Sequence, residues 1–311
     1  MIPSLRPARQ AVKRVFPMSD AKKTTLPLAY QSHGRIWHDF IYCYPVVSRR
    51  SGGLSIGVNL NPDKACNFDC IYCQVGRPRR GATQKVGLAG VAAGLGQLLD
   101  RAVDGRVSTE PPLDSIPEAN RRVRDIAFSG DGEPTTCPQF VGAAQLAADA
   151  RRSRGLADTK LVLITDACYL SKPNVRRALS ILDENNGEIW AKLDAGTQAY
   201  YEVINRPNFP LSHVMENIIN AARVRPVVIQ SLWMRVHGKP PPESEIFAFC
   251  DCLNEIHAAG GSLKLIQLYT IARKTTEAYA TPLTNAELDV LAAIVRSRIP
   301  TSVETYYGVA G

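Results

Sequence analysis

Three of the eight cysteines in this 311-residue chain, Cys66, Cys70 and Cys73, fall within eight positions of the stretch KACNFDCIYCQVGRP (64–78). Thiolates are soft ligands that suit zinc or iron–sulfur clusters. A helix through this spacing would spread the outer two sulfurs over roughly 10 Å of axis, too far to grip one compact cluster. The segment is therefore expected to be a curled loop, and Asn67 and Asp69 favour that by competing for backbone hydrogen bonds. A structural zinc site takes four closed ligands, normally in two pairs. No second pair of suitable spacing follows: Cys250 and Cys252 sit two apart on an expected helix, and Cys43, Cys137 and Cys168 are scattered. Each of these reads as a small buried apolar residue. A cubane held by three thiolates keeps one iron open, the mark of a reactive site. A zinc-stabilised binding module is the non-enzymatic alternative.

Other polar groups stand where an apolar strand would not place them. FSGDGEPTT (128–136) carries Ser129, with Gly130 and Gly132 for a tight turn and close backbone approach, and Glu133 as an acceptor for an ammonium group. In WAKLDAGT (190–197), Lys192 and Asp194 share one strand face, either reaching a ligand or forming a salt bridge inside a barrel. Gln230, Gln267 and Tyr269 lie in apolar runs, where an unpaired amide is costly, so each needs a partner in a ligand or a neighbouring strand. Arg77, Arg79 and Arg80 follow the cysteines directly, and with Arg206 of INRPNF (204–209) they are expected to rim the site, where arginine suits phosphate.

The elements that must position these groups alternate. From residue 54, the apolar runs LSIGVNL, DIAFSG, KLVLITD, EIWAKLD, VVIQSLW and LKLIQLY are separated by segments of helical period near 84–103, 138–153, 173–183, 212–223 and 243–258. Six β/α units result. The runs lack strict alternation, as expected for a parallel sheet covered on both faces. Polar motifs follow several successive strands, which favours a partial (β/α)6 TIM-like barrel over a doubly wound sheet. Residues 104–124 read as an inserted loop, 37–47 as an extra strand or hairpin, and the end of the chain as one helix (284–296) and a strand (SVETYYG). The expected division is a basic arm and extension (1–50), the barrel (51–270) and a C-terminal extension (271–311).

Composition sets the outer bounds. Hydrophobic residues at 45% and charged ones at 21% describe a globular chain, not a disordered one. Lysine and arginine outnumber aspartate and glutamate 37 to 29, a net +8 partly gathered in pairs such as Arg49-Arg50 and Arg121-Arg122. That favours an acidic or phosphate-bearing partner. Residues 1–25 read as a flexible basic arm. No run approaches the ~18 apolar residues of a membrane helix. Sparse cysteine, clustered in one motif, excludes a disulfide scaffold and points to reduced thiols in a cytoplasm.

C-x3-C-x2-C after a first barrel strand, with Tyr72 just before the last cysteine, resembles the radical S-adenosylmethionine (SAM) superfamily. The wider pattern of SRRSGGLSIGVNLNPDKACNFDCIYCQ, FSGDGEPT, KLDAGT, INRP and IQLYTIAR is similar to its wyosine-type tRNA-modifying members, over about residues 42–273. The resemblance implies a 4Fe-4S cluster on Cys66, Cys70 and Cys73 whose open iron chelates SAM, and reductive cleavage of SAM to a hydrogen-abstracting 5'-deoxyadenosyl radical. It implies SAM contacts from Ser129, Gly130, Gly132 and Glu133, contacts to SAM or substrate from Lys192 and Asp194, and a Tyr72 ring that either faces adenine or packs the loop; Gln230 and Gln267, by their burial, are further cofactor-binding candidates. It also implies an external electron donor of flavodoxin or ferredoxin type and a tRNA partner. Wyosine-type members use a lysine to hold pyruvate; no catalytic lysine is assigned here, with Lys192 a candidate. Two departures stand: only Cys43 precedes the motif, where archaeal members carry several cysteines for a second cluster, and the flavodoxin-like domain of eukaryotic members is missing. A second enzymatic reading, modification or activation of a protein or peptide, rests on the same motif and glycine-rich loop.

Overall fold

The computed structural model describes residues 37–76 and 85–308, so the basic arm and Arg77, Arg79 and Arg80 lie outside the described residues. In chain order the first elements are β1 (Cys43–Ser48), β2 (Gly53–Val58), α1 (Leu88–Val103), β3 (Val123–Phe128), α2 (Phe140–Ser153), β4 (Lys160–Thr165) and α3 (Pro173–Asp183). They continue with β5 (Gly187–Lys192), α4 (Gln198–Asn205), α5 (Leu211–Val224), β6 (Val227–Leu232), β7 (Met234–Val236) and α6 (Glu243–Ala258). The last are β8 (Leu263–Tyr269), β9 (Ala280–Pro282), α7 (Asn285–Arg298) and β10 (Val303–Tyr306).

Eight strands form one sheet in the order β1-β2-β3-β4-β5-β6-β8-β10. From β2 to β10 every neighbouring pair is parallel, and β1 pairs antiparallel with β2. Spatial order follows chain order without the reversal that defines a doubly wound sheet, so the architecture is the partial barrel.

Side chains of alternate parity divide the sheet into two faces. Ile126, Phe128, Leu161, Leu163, Ile189, Ala191, Ile229 and Leu268 join the main core beneath the helices. The opposite face holds a small apolar group of Ala127, Val162, Trp190 and Val228. Around it stand Ser55, Asp125, Lys192, Gln230 and Tyr269, which line a cavity. The apolar runs therefore lack alternation because the inner face mixes apolar with polar groups.

Three local features depart from the sequence reading. Residues 104–124 contain 3-10 turns at Arg106–Thr109, Leu113–Ser115 and Glu118–Asn120, anchored by buried Val107, Leu113 and Ile116. α4 follows KLDAGT directly: the Thr197 side chain accepts from Tyr200 N at its start, and Arg206 closes it in the left-handed region at φ 43°. Its eight residues are too few for helical periodicity to register. β7 and β9 form a separate two-stranded sheet beside the main one.

Candidate active site

The three cysteines lie on an irregular loop after β2, as the spacing requires. Its bed is the C-terminal end of α4. Asp69 N donates to Asn205 O at 3.0 Å, Ile71 N to Ile204 O at 3.0 Å, and Asn208 N to Asn67 O at 3.0 Å. Within the loop Cys73 N donates to Cys70 O at 3.0 Å, and Thr276 N reaches Cys73 O at 2.8 Å. The Asn205 amide donates to Cys70 Sγ at 3.4 Å. Desolvation, followed by the charges of Asp194 and Cys66, pushes the Cys70 thiol far above its ordinary pKa. Arg206, expected at a phosphate-binding rim, spends its guanidinium on this scaffold: Asp69 at 3.3 Å, Glu277 at 2.8 Å and the Tyr279 hydroxyl at 2.6 Å. It clamps the cysteine loop to the segment before β9.

The glycine-rich loop after β3 is pressed against the same structure. A Cβ on Gly132 would meet the Ala65 carbonyl at 2.0 Å, and one on Gly130 would meet Asn59 Oδ1 at 2.3 Å. The close approach expected of these glycines is made to the base of the cysteine loop, where Glu133 N also donates to Ala65 O at 2.9 Å. Ser129 sits beside them, its Oγ 3.1 Å from the Tyr44 hydroxyl. The Glu133 carboxylate is already met by Thr135 N (3.0 Å), Thr135 Oγ1 (2.5 Å), Thr165 Oγ1 (2.7 Å) and Asp166 N (2.7 Å). Three of these donors meet Oε1 and one meets Oε2, so Glu133 ties the β3 loop to the end of β4 and keeps acceptor capacity on Oε2. Its neighbour Asp166 is different. One oxygen accepts from Asn67 Nδ2 (3.3 Å) and Cys168 N (2.9 Å), while Oδ2 is buried without a partner among the described residues. Burial, then the Glu133 charge, raises the Asp166 pKa well above the usual carboxylate range.

Lys192 and Asp194 form the salt bridge, Nζ to Oδ1 at 3.0 Å, and Lys192 also donates to the Tyr269 hydroxyl at 2.7 Å. Burial pulls the Lys192 pKa down, but the Asp194 charge and the Tyr269 hydroxyl outweigh it and hold the ammonium protonated. Asp194 further accepts from Leu232 N (2.8 Å), Asn205 Nδ2 (3.1 Å) and the Tyr72 hydroxyl. Tyr72 is thereby pinned to the barrel by its hydroxyl while its ring lies 5.0 Å from Lys192 Nζ. Gln230 Nε2 donates to Gln267 Oε1 at 2.9 Å across β6 and β8, the neighbouring-strand partner that burial demanded, and leaves Gln230 Oε1 unpartnered.

These groups share one cavity of about 290 Å³ in the barrel lumen. Cys66, Cys70 and Cys73 line its upper wall, with Glu133 and Asp166 beside them. Tyr72, Lys192 and Gln230 line it further down, whereas Asp194 and Gln267 stand behind as supports. Among the described residues no three Cys, His, Asp or Glu side chains gather closely enough to hold a single ion. A cubane instead takes one thiolate per iron, so sulfurs spread along a curled loop suit it. Orphaned acceptors on Asp166 and Gln230 fit a ligand rich in N–H and O–H donors, as SAM is. Asp166 was not legible as a site residue: ITDACY reads as a strand end, and only the hydrogen bonds of the folded chain show that one Asp166 oxygen lacks a partner among the described residues.

No family model matches the chain. Over 254 residues it is 24% identical to the GTPase Obg of Brachyspira hyodysenteriae, a match covering 79% of this chain and 32% of that protein. It is 26% identical to a UPF0026 protein of Methanocaldococcus jannaschii over 184 residues, 56% of this chain and 47% of the relative. The chain thus spans between a third and a half of these curated relatives. Among solved structures, SuiB of Streptococcus suis bound to S-adenosylmethionine superposes with a TM-score of 0.54 at 12% identity, covering 82% of this chain and 51% of SuiB. The fold is the radical SAM fold. Within it, the three-cysteine loop follows the first parallel strand, and the glycine-rich loop follows the second. In this barrel Lys192 pairs with Asp194, and Gln230 pairs with Gln267.

Proposed function

We propose that the chain is a radical SAM enzyme that modifies a nucleobase in RNA. The observation that carries the first half is the convergence of three loop thiols and two orphaned buried acceptors on one lumenal cavity. Bound there, a 4Fe-4S cluster and SAM supply one-electron cleavage of a sulfonium bond and a radical able to abstract hydrogen from carbon. The chain's own residues do the rest. Asn205 and Arg206 hold the cysteine loop in its curl, Asp166 Oδ2 and Gln230 Oε1 accept from donor groups of the ligand, and Asp194 keeps Lys192 and Tyr72 in place. RNA as the target rests on the net charge of +8 and on the resemblance to tRNA-modifying members, with Arg77, Arg79 and Arg80 as the positions to examine. The electron is expected from a flavodoxin or ferredoxin, and the compartment is expected to be the cytoplasm. No helix of the described residues is long and apolar enough to cross a membrane.

Anaerobic reconstitution tests this. The native chain should take up iron and sulfide and release 5'-deoxyadenosine from SAM with dithionite, and Cys70→Ala should abolish the release. Stoichiometric zinc without sulfide would support the binding module instead. RNA retention should weaken steeply with salt; a chain that ignores RNA at low salt leaves a protein or peptide substrate as the better reading.

A further inference from the structure

The turn between β1 and β2 aims a cation into the lumen. Gly52, at φ 70°, donates its N–H to Ser48 O at 3.0 Å, Ser51 N donates to Ser48 Oγ at 3.1 Å, and Ser51 Oγ donates to the same atom at 2.9 Å. This closed turn presents two arginines with opposite fates. Arg49 donates to the Tyr307 carbonyl beyond β10, so it spans from one edge of the sheet to the other. Arg50 lines the same cavity as the cysteines, its guanidinium 4.9 Å from the centre of the Tyr269 ring and 5.8 Å from that of Trp190.

Two other charges in this cavity are answered, Lys192 by Asp194 and Glu133 by the donors around it. Arg50 is not. Among the described residues no carboxylate forms an ion pair with it; Asp125, which feels the Arg50 charge, is held by the Ser55 hydroxyl, and burial raises its pKa. A guanidinium keeps its charge throughout the biological pH range. Two aromatic rings stand beside it, and its N–H fork suits a planar, bidentate acceptor.

We propose that Arg50 is the receptor for an oxyanion, a carboxylate or a phosphate, carried by the substrate. The word substrate rests on the reading above; the oxyanion site itself does not. Inorganic phosphate and acetate are the probes, titrated into the anaerobically reconstituted protein. Trp190 emission is the readout, with Trp190→Phe isolating it from Trp37 and Trp233. A saturable response to phosphate points to a nucleotide-type substrate, and one to acetate points to a carboxylic acid. Arg50→Gln should weaken binding roughly tenfold or more, and Arg50→Lys should restore part of it by returning the charge without the fork. Equal affinity in Arg50→Gln, or no response to either anion in the native chain, overturns the proposal. So does competition between SAM and the anion, because the site would then belong to the carboxylate of SAM. A native chain that binds an oxyanion through Arg50 but fails to cleave SAM would overturn the functional reading and leave this one standing.

Discussion

Asp166 and Glu133 show how one buried carboxylate is met by four donors while its neighbour keeps an oxygen without a partner among the described residues. Both have pKa values raised by burial, and the Glu133 charge raises Asp166 further. A carboxyl whose folded pKa lies above its unfolded value of 3.8 binds its proton more tightly in the folded state. Its contribution to stability is full below that value and is lost as pH rises through the folded pKa. Asp166→Asn should therefore make the cofactor-free protein more stable near neutral pH, by about 1–3 kcal/mol, the cost of an unmet buried polar group. Below pH 4 the gain should vanish. Urea unfolding of both chains across this range measures it, and a pH-independent difference would show that Asp166 is ionised and satisfied in the fold.

At the level of elements, the cysteine loop owes its shape to its neighbours. It is held on one side by the end of α4 and on the other by the glycine-rich loop after β3. Gly132→Ala places a Cβ 2.0 Å from the Ala65 carbonyl, a backbone atom that cannot turn aside. The loop must shift, at a cost of about 1–3 kcal/mol. Iron uptake on reconstitution should fall severalfold, read as iron and sulfide per chain. Gly76→Ala is the control in the same loop, because among the described residues a Cβ there meets nothing within 4 Å. Equal losses from the two would mean that the loop tolerates no side chain anywhere and that the Ala65 contact is not what matters. The sequence reading found these glycines but assigned their closeness to a ligand. For Arg206, neither its left-handed backbone nor its acidic partners Asp69 and Glu277, 137 residues and 71 residues away in number, can be seen from INRP alone.

For the molecule as a whole, the two edges of the sheet matter most. β1 closes one side, and β10 closes the other by pairing parallel to β8, with Val303 opposite Ile266 and Tyr306 opposite Tyr269. Arg49 joins the two edges through Tyr307. Ending the chain at Ser302 would strip β8 of its ladder and present an apolar edge to solvent. A loss of roughly 2–4 kcal/mol is expected, at about 1 kcal/mol net per ladder hydrogen bond, together with aggregation on warming. Thermal unfolding followed by light scattering checks both. A truncated chain that melts like the intact one would show that β10 is an appendage.

What the amino-acid sequence determined by itself was local or periodic: thiol spacing that forbids a helix, apolar runs of strand length, intervening helices, and polar residues where burial demands a partner. Those rules act over a few residues, and the order of β2, β3, β4, β5, β6 and β8 followed from them. Only the tertiary structure decided which polar groups were spent on one another. Lys192 is neutralised by Asp194, Glu133 is held by Thr135 and by the end of β4, and Gln230 is half-answered by Gln267, whereas Arg50 and Asp166 keep capacity in reserve. Hydrogen-bond and charge capacity is a property of the whole neighbourhood, assembled from strands far apart in the chain, and no single stretch of residues contains it.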